Sequence, residues 1–116
     1  MAELKPCPSS PNCVSSLVGE DSTHQVMPLS WSGDIKQAKG KLRQAVQAAG
    51  NATFVEEGDT YWRIEFRSRW FRFVDDVEFL FDLEHKLIHV RSASRVGHSD
   101  FGVNRRRVED IRSRFQ

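Results

Sequence analysis

From residue 61 to residue 95, apolar and charged residues alternate with a period of two, and this constrains the fold more than any other feature. Over residues 61–70 one parity carries Trp62, Ile64, Phe66 and Trp70, and the other carries Tyr61, Arg63, Glu65, Arg67 and Arg69. Successive side chains of a strand point to opposite sides, so the pattern predicts a sheet with one oily and one charged face. Val77, Phe79, Phe81 and Leu83 against Glu78 and Asp82 continue it, with Leu80 off pattern. Ile88, Val90 and Ser92 against His89 and Arg91 give the last strand. The connections are short, at Gly58-Asp59 and at His85-Lys86, which favours antiparallel neighbours.

Two stretches change period. Over residues 33–49, Ile35, Ala38, Leu42, Ala45, Val46 and Ala49 recur at three- and four-residue spacing, the stripe of an amphipathic helix that Asp34 can cap. Gly50 is expected to stop it in a left-handed conformation. Residues 104–115 read as a second helix, with Asn104 or Asp100 as cap and Val108, Ile111 and Phe115 as apolar edge. A shorter strand is expected at residues 53–57. The prediction is α+β: a two-layer sandwich, an antiparallel sheet of about four strands with both helices on its oily face. Residues 1–32 hold all four prolines and many serines and read as an irregular arm, fixed to residues 33–116 by Cys7, Cys13 and Trp31. The whole reads as one domain.

The net charge of +1 argues against a nucleic-acid binder. No apolar run approaches the roughly 20 residues of a membrane span, and no basic region followed by an apolar stretch marks a leader. Twelve of the seventeen basic residues are arginine, and eleven of these follow residue 60. Arginine presents a planar fork to carboxylates and phosphates, so the second half suits either cross-strand ion pairs or an anionic ligand.

Five constellations could carry chemistry. Cys7 and Cys13 bracket a proline-stiffened loop. As a disulfide they would stabilise by roughly 2 kcal/mol; free thiols or a metal or redox site are the other readings. A metal site lacks a recognisable second pair of ligands, and no cofactor motif is present. His24, His85, His89 and His98 are scattered and read as surface residues; His98, beside Ser99 and Asp100, is the one best placed for chemistry. Asp75 and Asp76 repel one another unless a cation or an arginine clasps them. Trp70, Phe71 and Phe73 break the alternation between arginines, so they either fold under a helix or form a docking tip for a membrane or protein partner. Lastly, residues 91–105 pass from strand to glycine-containing loop to helix start. Arg95, Ser99, Asp100, Asn104 and Arg105 there could hold an anion, or satisfy one another and the acidic pair.

Three blocks resemble an uncharacterised bacterial and plastid family, the domain of unknown function DUF1499. They are Cys7-Pro8-Ser9-Ser10-Pro11-Asn12-Cys13-Val14-Ser15-Ser16, Phe73-Val74-Asp75-Asp76-Val77-Glu78, and residues 91–107 with their Ser-Arg-Val-Gly, Ser-Asp-Phe-Gly and Val-Asn-Arg elements. The resemblance implies an exported or membrane-attached setting, which suits a Cys7–Cys13 disulfide, and convergence of the three blocks on one site. It implies no activity. The leading expectation is a non-catalytic binding or accessory domain for an anionic or small-molecule ligand at Asp75, Asp76, Arg95, Ser99, Asp100, Asn104 and Arg105. The alternatives are an enzyme using Asp75, Asp76, Asp100 or His98, and a docking module using Trp70, Phe71 and Phe73.

Overall fold

The computed structural model describes residues 3–19, 23–68, 73–97 and 99–116. Among them the chain forms six strands and two helices: β1 (Cys13–Ser15), β2 (Leu29–Ser30), α1 (Ile35–Ala49), β3 (Ala52–Glu57), β4 (Tyr61–Arg67), β5 (Val74–Asp82), β6 (Leu87–Ser94) and α2 (Val103–Phe115). All strand pairs are antiparallel, in the order β1-β6-β5-β4-β3, and β2 also pairs with β6. The fold is therefore α+β, with six strands instead of about four. The two additional strands come from the arm. β1 lies against β6 from Cys13↔Ala93 to Ser15↔Arg91, and β2 lies farther along the same edge at Leu29↔Ile88. The prolines lie outside both strands and so remove no donor from them, and on its other side β1 is bonded within the arm, the Ser15 amide donating to the His24 carbonyl at 2.7 Å and the Val26 amide to the Ser15 carbonyl at 3.1 Å.

The alternation is realised residue by residue. Trp62, Ile64, Phe66, Val77, Phe79, Phe81, Ile88 and Val90 are buried in one cluster with Ala38, Leu42 and Val46 of α1 and Val108, Ile111 and Phe115 of α2. Trp31 closes it with an edge-on contact to Phe81 at 6.4 Å. Leu83 does not extend the stripe. It sits in the turn after β5 and is exposed, while Lys86 takes the positive φ of 53° that reverses the chain. In β3 a register shift between Phe54 and Glu56 leaves Val55 outward.

Asp34 caps α1, its carboxylate accepting from the Lys36 amide at 2.9 Å. Gly50 ends it differently from the left-handed stop expected: φ is 164°, an extended conformation. A Cβ at this position would stand 3.3 Å from the Phe66 ring, a tight contact that glycine avoids. Among the described residues no helix is long and apolar enough to cross a membrane. Among the described residues, one histidine departs from the surface expectation. His24 is buried, and its Nε2 donates to the Ser10 carbonyl at 2.9 Å, tying two parts of the arm together.

Candidate functional site

Asp75 and Asp76 are neighbours on β5 and so face opposite sides of the sheet. That separates the sequence-derived site residues into two groups.

On the outer face, register sets Glu65 directly opposite Asp76, an unfavourable pairing of like charges. Arg95 resolves it. Its Nε and Nη2 clasp Asp76 at 2.7 and 2.9 Å, and Nη2 also reaches Glu65 at 2.6 Å. Arg63 adds contacts to both acids. The Arg95 hydrogen bonds hold the Asp76 and Glu65 carboxyls below the usual carboxylate range, against the opposing effect of desolvation. Along the same face Arg91 pairs with Glu78 at 3.3 Å, and Tyr61 donates to Glu78 at 2.6 Å. Burial and that carboxylate raise the Tyr61 pKa. A cavity of about 430 Å³ here is lined by three acids and three bases, Glu3, Asp76, Glu78, Lys5, Arg63 and Arg91, together with Tyr61. Its charges compensate one another.

On the helix-covered face, the row of apolar residues ends in polar ones. Phe66 pairs with Asp75, and Asp75 with Ser94. Two residues earlier on β6, Ser92 is fully buried. The chain then leaves β6, turns, and enters α2. The turn takes two successive positive φ values, 54° at Phe101 and 81° at Gly102. Glycine suits this place because a residue with a Cβ is strained at that φ. Asp100 fixes the turn. Its Oδ1 accepts from the Gly102 amide at 2.8 Å, and its Oδ2 from the Asn104 amide at 3.0 Å and Asn104 Nδ2 at 2.7 Å. Burial opposes ionisation of Asp100, but these donors outweigh it and bring its pKa below the ordinary value.

Asn104 is the centre of the cluster and is fully buried. Its Oδ1 accepts from Ser92 Oγ at 2.6 Å and Arg107 Nη1 at 3.1 Å. Its Nδ2 shares two hydrogens among Asp100, Ser94 Oγ at 2.9 Å and the Asn12 carbonyl at 3.1 Å. Arg107 Nη1 also donates to Asp75 at 2.7 Å, and its guanidinium lies 4.8 Å from the centre of the Phe66 ring. Asn12 closes the arrangement from the arm. Its carbonyl accepts from the Ser94 amide at 3.0 Å and its Nδ2 donates to the Gly97 carbonyl at 2.8 Å. Asn12 is held by the Cys7–Cys13 disulfide, Cα–Cα 5.7 Å.

Above this polar floor lies a cleft of about 620 Å³. Phe73, Val96, Phe101 and Val103 form its apolar walls, and Ser68, Ser94, Ser99, Asp75, Asp100 and Arg107 supply polar groups. Phe101 is 85% exposed and Phe73 54%.

Of the seven residues expected to form one site, Asp75, Ser99, Asp100 and Asn104 converge here. Asp76 and Arg95 lie on the other face. Arg105 is turned to the arm, donating to the carbonyls of Gln25 at 2.7 Å and Thr23 at 2.9 Å. Trp70, Phe71 and His98 lie outside the described residues. Sequence reasoning missed Arg107, Phe101, Val96 and Val103. A signal for Arg107 existed: Asp75 shares parity with Val77 and Phe79, so it faces the helices and needs a cation from one of them. Arg107 is three residues from Asn104, on the same helix face. Among the described residues no group of three His, Cys, Asp or Glu side chains could hold a metal ion.

The chain belongs to the DUF1499 family, proteins of unknown function, whose model matches residues 3–115. No curated protein matches the sequence.

Proposed function

We propose that this domain binds, without transforming it, a small molecule that has an apolar body and a hydrogen-bonding head. The binding site is the cleft between the Phe101 turn and the start of β5. The observation that carries this reading is the combination of apolar walls with a satisfied, buried polar floor in a cleft of about 620 Å³, within the range typical of small-molecule sites. The carboxylates speak for binding over catalysis. Asp76 is clasped by Arg95, Asp75 by Arg107, and Asp100 by three donors. An enzyme using Asp75, Asp76, Asp100 or His98 needs a base free to accept a proton, and these three acids are committed.

The charges also favour one class of head group. The cleft holds two carboxylates and one guanidinium, a sum of −1. Arg95 is compensated by Asp76 and Glu65, and Arg105 is taken by backbone carbonyls. A neutral or cationic head therefore fits the cleft better than the anion expected from the arginine count. The Cys7–Cys13 disulfide supports an oxidising setting, periplasmic or membrane-attached, because such bonds persist there.

Titration with N-phenylnaphthylamine, an uncharged fluorescent probe, tests the reading, with displacement by decanol, decylamine and decanoate. Saturable one-to-one binding is expected, lost in Val96→Asp, with decanoate the weakest competitor. No saturable binding, or binding indifferent to Val96→Asp, overturns it.

A further inference from the structure

We infer that the Cys7–Cys13 disulfide is a redox control on the cleft. This rests on the reading that the cleft takes a ligand. The bond closes a six-residue separation, and Asn12 stands one residue before its second cysteine. From that place Asn12 holds three parts of the cleft at once: the Ser94 amide, the Gly97 carbonyl and the Nδ2 of Asn104. Ser94 and Gly97 line the cleft, and Asn104 positions the Arg107 guanidinium on its floor. Pairing of Cys13 with Ala93 makes the loop continuous with the end of β6. The loop therefore buttresses the cleft wall, and the cross-link limits how far Asn12 can move.

The two sulfurs differ in access. Cys13 is fully buried, whereas Cys7 is partly exposed. A thiolate of an external dithiol therefore attacks Sγ of Cys7. The Cys7–dithiol bond forms, the Sγ–Sγ bond breaks, and the electron pair leaves on Cys13, which takes up a proton. The second thiol of the dithiol then displaces Cys7 as a thiol and closes its own disulfide. Two electrons pass to the protein, and the dithiol is oxidised. With the loop open, Asn12 gains conformational freedom and its three hydrogen bonds compete with water.

The test compares the full chain before and after reduction by dithiothreitol, with mass measurement confirming the state. Two readouts are followed: N-phenylnaphthylamine binding, and amide hydrogen exchange at Ser94, whose N–H reports the Asn12 contact directly. Reduction is expected to weaken probe binding about tenfold, the loss of one to two hydrogen bonds. It is also expected to accelerate exchange at Ser94 while the amides of α1 stay protected. Cys7→Ser without reductant should reproduce both effects, and reductant should then change nothing further. Unchanged Ser94 exchange, or equal acceleration in α1, overturns the coupling. A probe that binds neither form overturns the cleft reading instead, and the exchange result still decides whether the disulfide controls this wall.

Discussion

Phe101 offers the sharpest test of the site, because the cleft reading makes stability and binding move in opposite directions. The residue has φ 54° and is 85% exposed. A left-handed conformation costs a residue with a Cβ roughly 1–2 kcal/mol, and an aromatic side chain has no local hydrogen bond to offset it. Asparagine tolerates the conformation, so Phe101→Asn should recover most of that strain. Against this stands the lost ring contact. Taking roughly 200 Å² for the side chain, about 30 Å² is covered, worth about 0.7 kcal/mol at 25 cal/mol/Å². The strain relief is the larger effect, and a net gain of about 0.7 kcal/mol is expected. For a chain of this length the unfolding entropy is about 0.24 kcal/mol/K, so the midpoint should rise by about 3 °C. Phe101→Ala is the control, since alanine loses the ring and keeps the strain. Thermal and urea unfolding of the oxidised protein should rank asparagine above phenylalanine and phenylalanine above alanine, while both variants bind N-phenylnaphthylamine more weakly. If alanine gains as much as asparagine, backbone strain is not the cause. If asparagine loses stability, the argument fails.

Asn104→Asp keeps the shape but replaces the donor shared by the Asn12 carbonyl, Ser94 and Asp100 with an acceptor; urea unfolding should show a loss of about 3 kcal/mol or more at pH 7. Arg95→Met should flatten the acid limb of the stability–pH curve. The folded pKa values of Asp76 and Glu65 are depressed, so their contribution is present above the unfolded values and is lost as pH falls through the folded ones. Without Arg95 the wild-type loss below about pH 4 should shrink, and parallel curves for the two proteins would refute the assignment. Replacing both cysteines, as Cys7→Ser with Cys13→Ala, should cost about 2 kcal/mol in urea unfolding of the oxidised pair against the variant. Asp34→Ala should cost about 1 kcal/mol through loss of the α1 cap.

The residues that alternate were legible because burial acts on each strand separately. Trp62, Ile64 and Phe66 are interior whatever their partners are. The helices were legible for the same reason, down to the Asp34 cap of α1, but the start of α2 was not: Gly102 precedes it and Asn104 lies inside it instead of capping it. The arm was not. β1 and β2 are three and two residues long, too short for any period to appear, and they exist only because β6 offers an open edge. Gly50 shows another limit: a glycine after a helix signals a left-handed stop, but here the backbone is extended and the nearest neighbour to where a Cβ would stand is the Phe66 ring of β4, which no local pattern announces. The candidate site was legible in part. Polar residues in the three blocks pointed to a cluster, yet composition cannot assign partners. Asp75 and Asp76 looked like one acidic pair, and the pleat sends them to different arginines.

The buried cluster has a consequence for why the cleft lies where it does. Packing α2 over the whole oily face with apolar side chains would bury more hydrophobic area and spare the desolvation of Asp75, Arg107, Asn104 and Ser92. The chain instead ends its oily row at Val77 and Phe66 and continues with groups that must be matched in direction as well as in volume. Hydrogen bonds are directional, so Asn104 can satisfy Ser92, Ser94, Asp100, Arg107 and Asn12 together only when β6, the start of α2 and the disulfide-closed loop stand in one arrangement. That arrangement leaves Phe101 and Val96 exposed at the cleft instead of folded against the core. The polar hub thus fixes the shape of an apolar cleft that an oily core at the same place would fill.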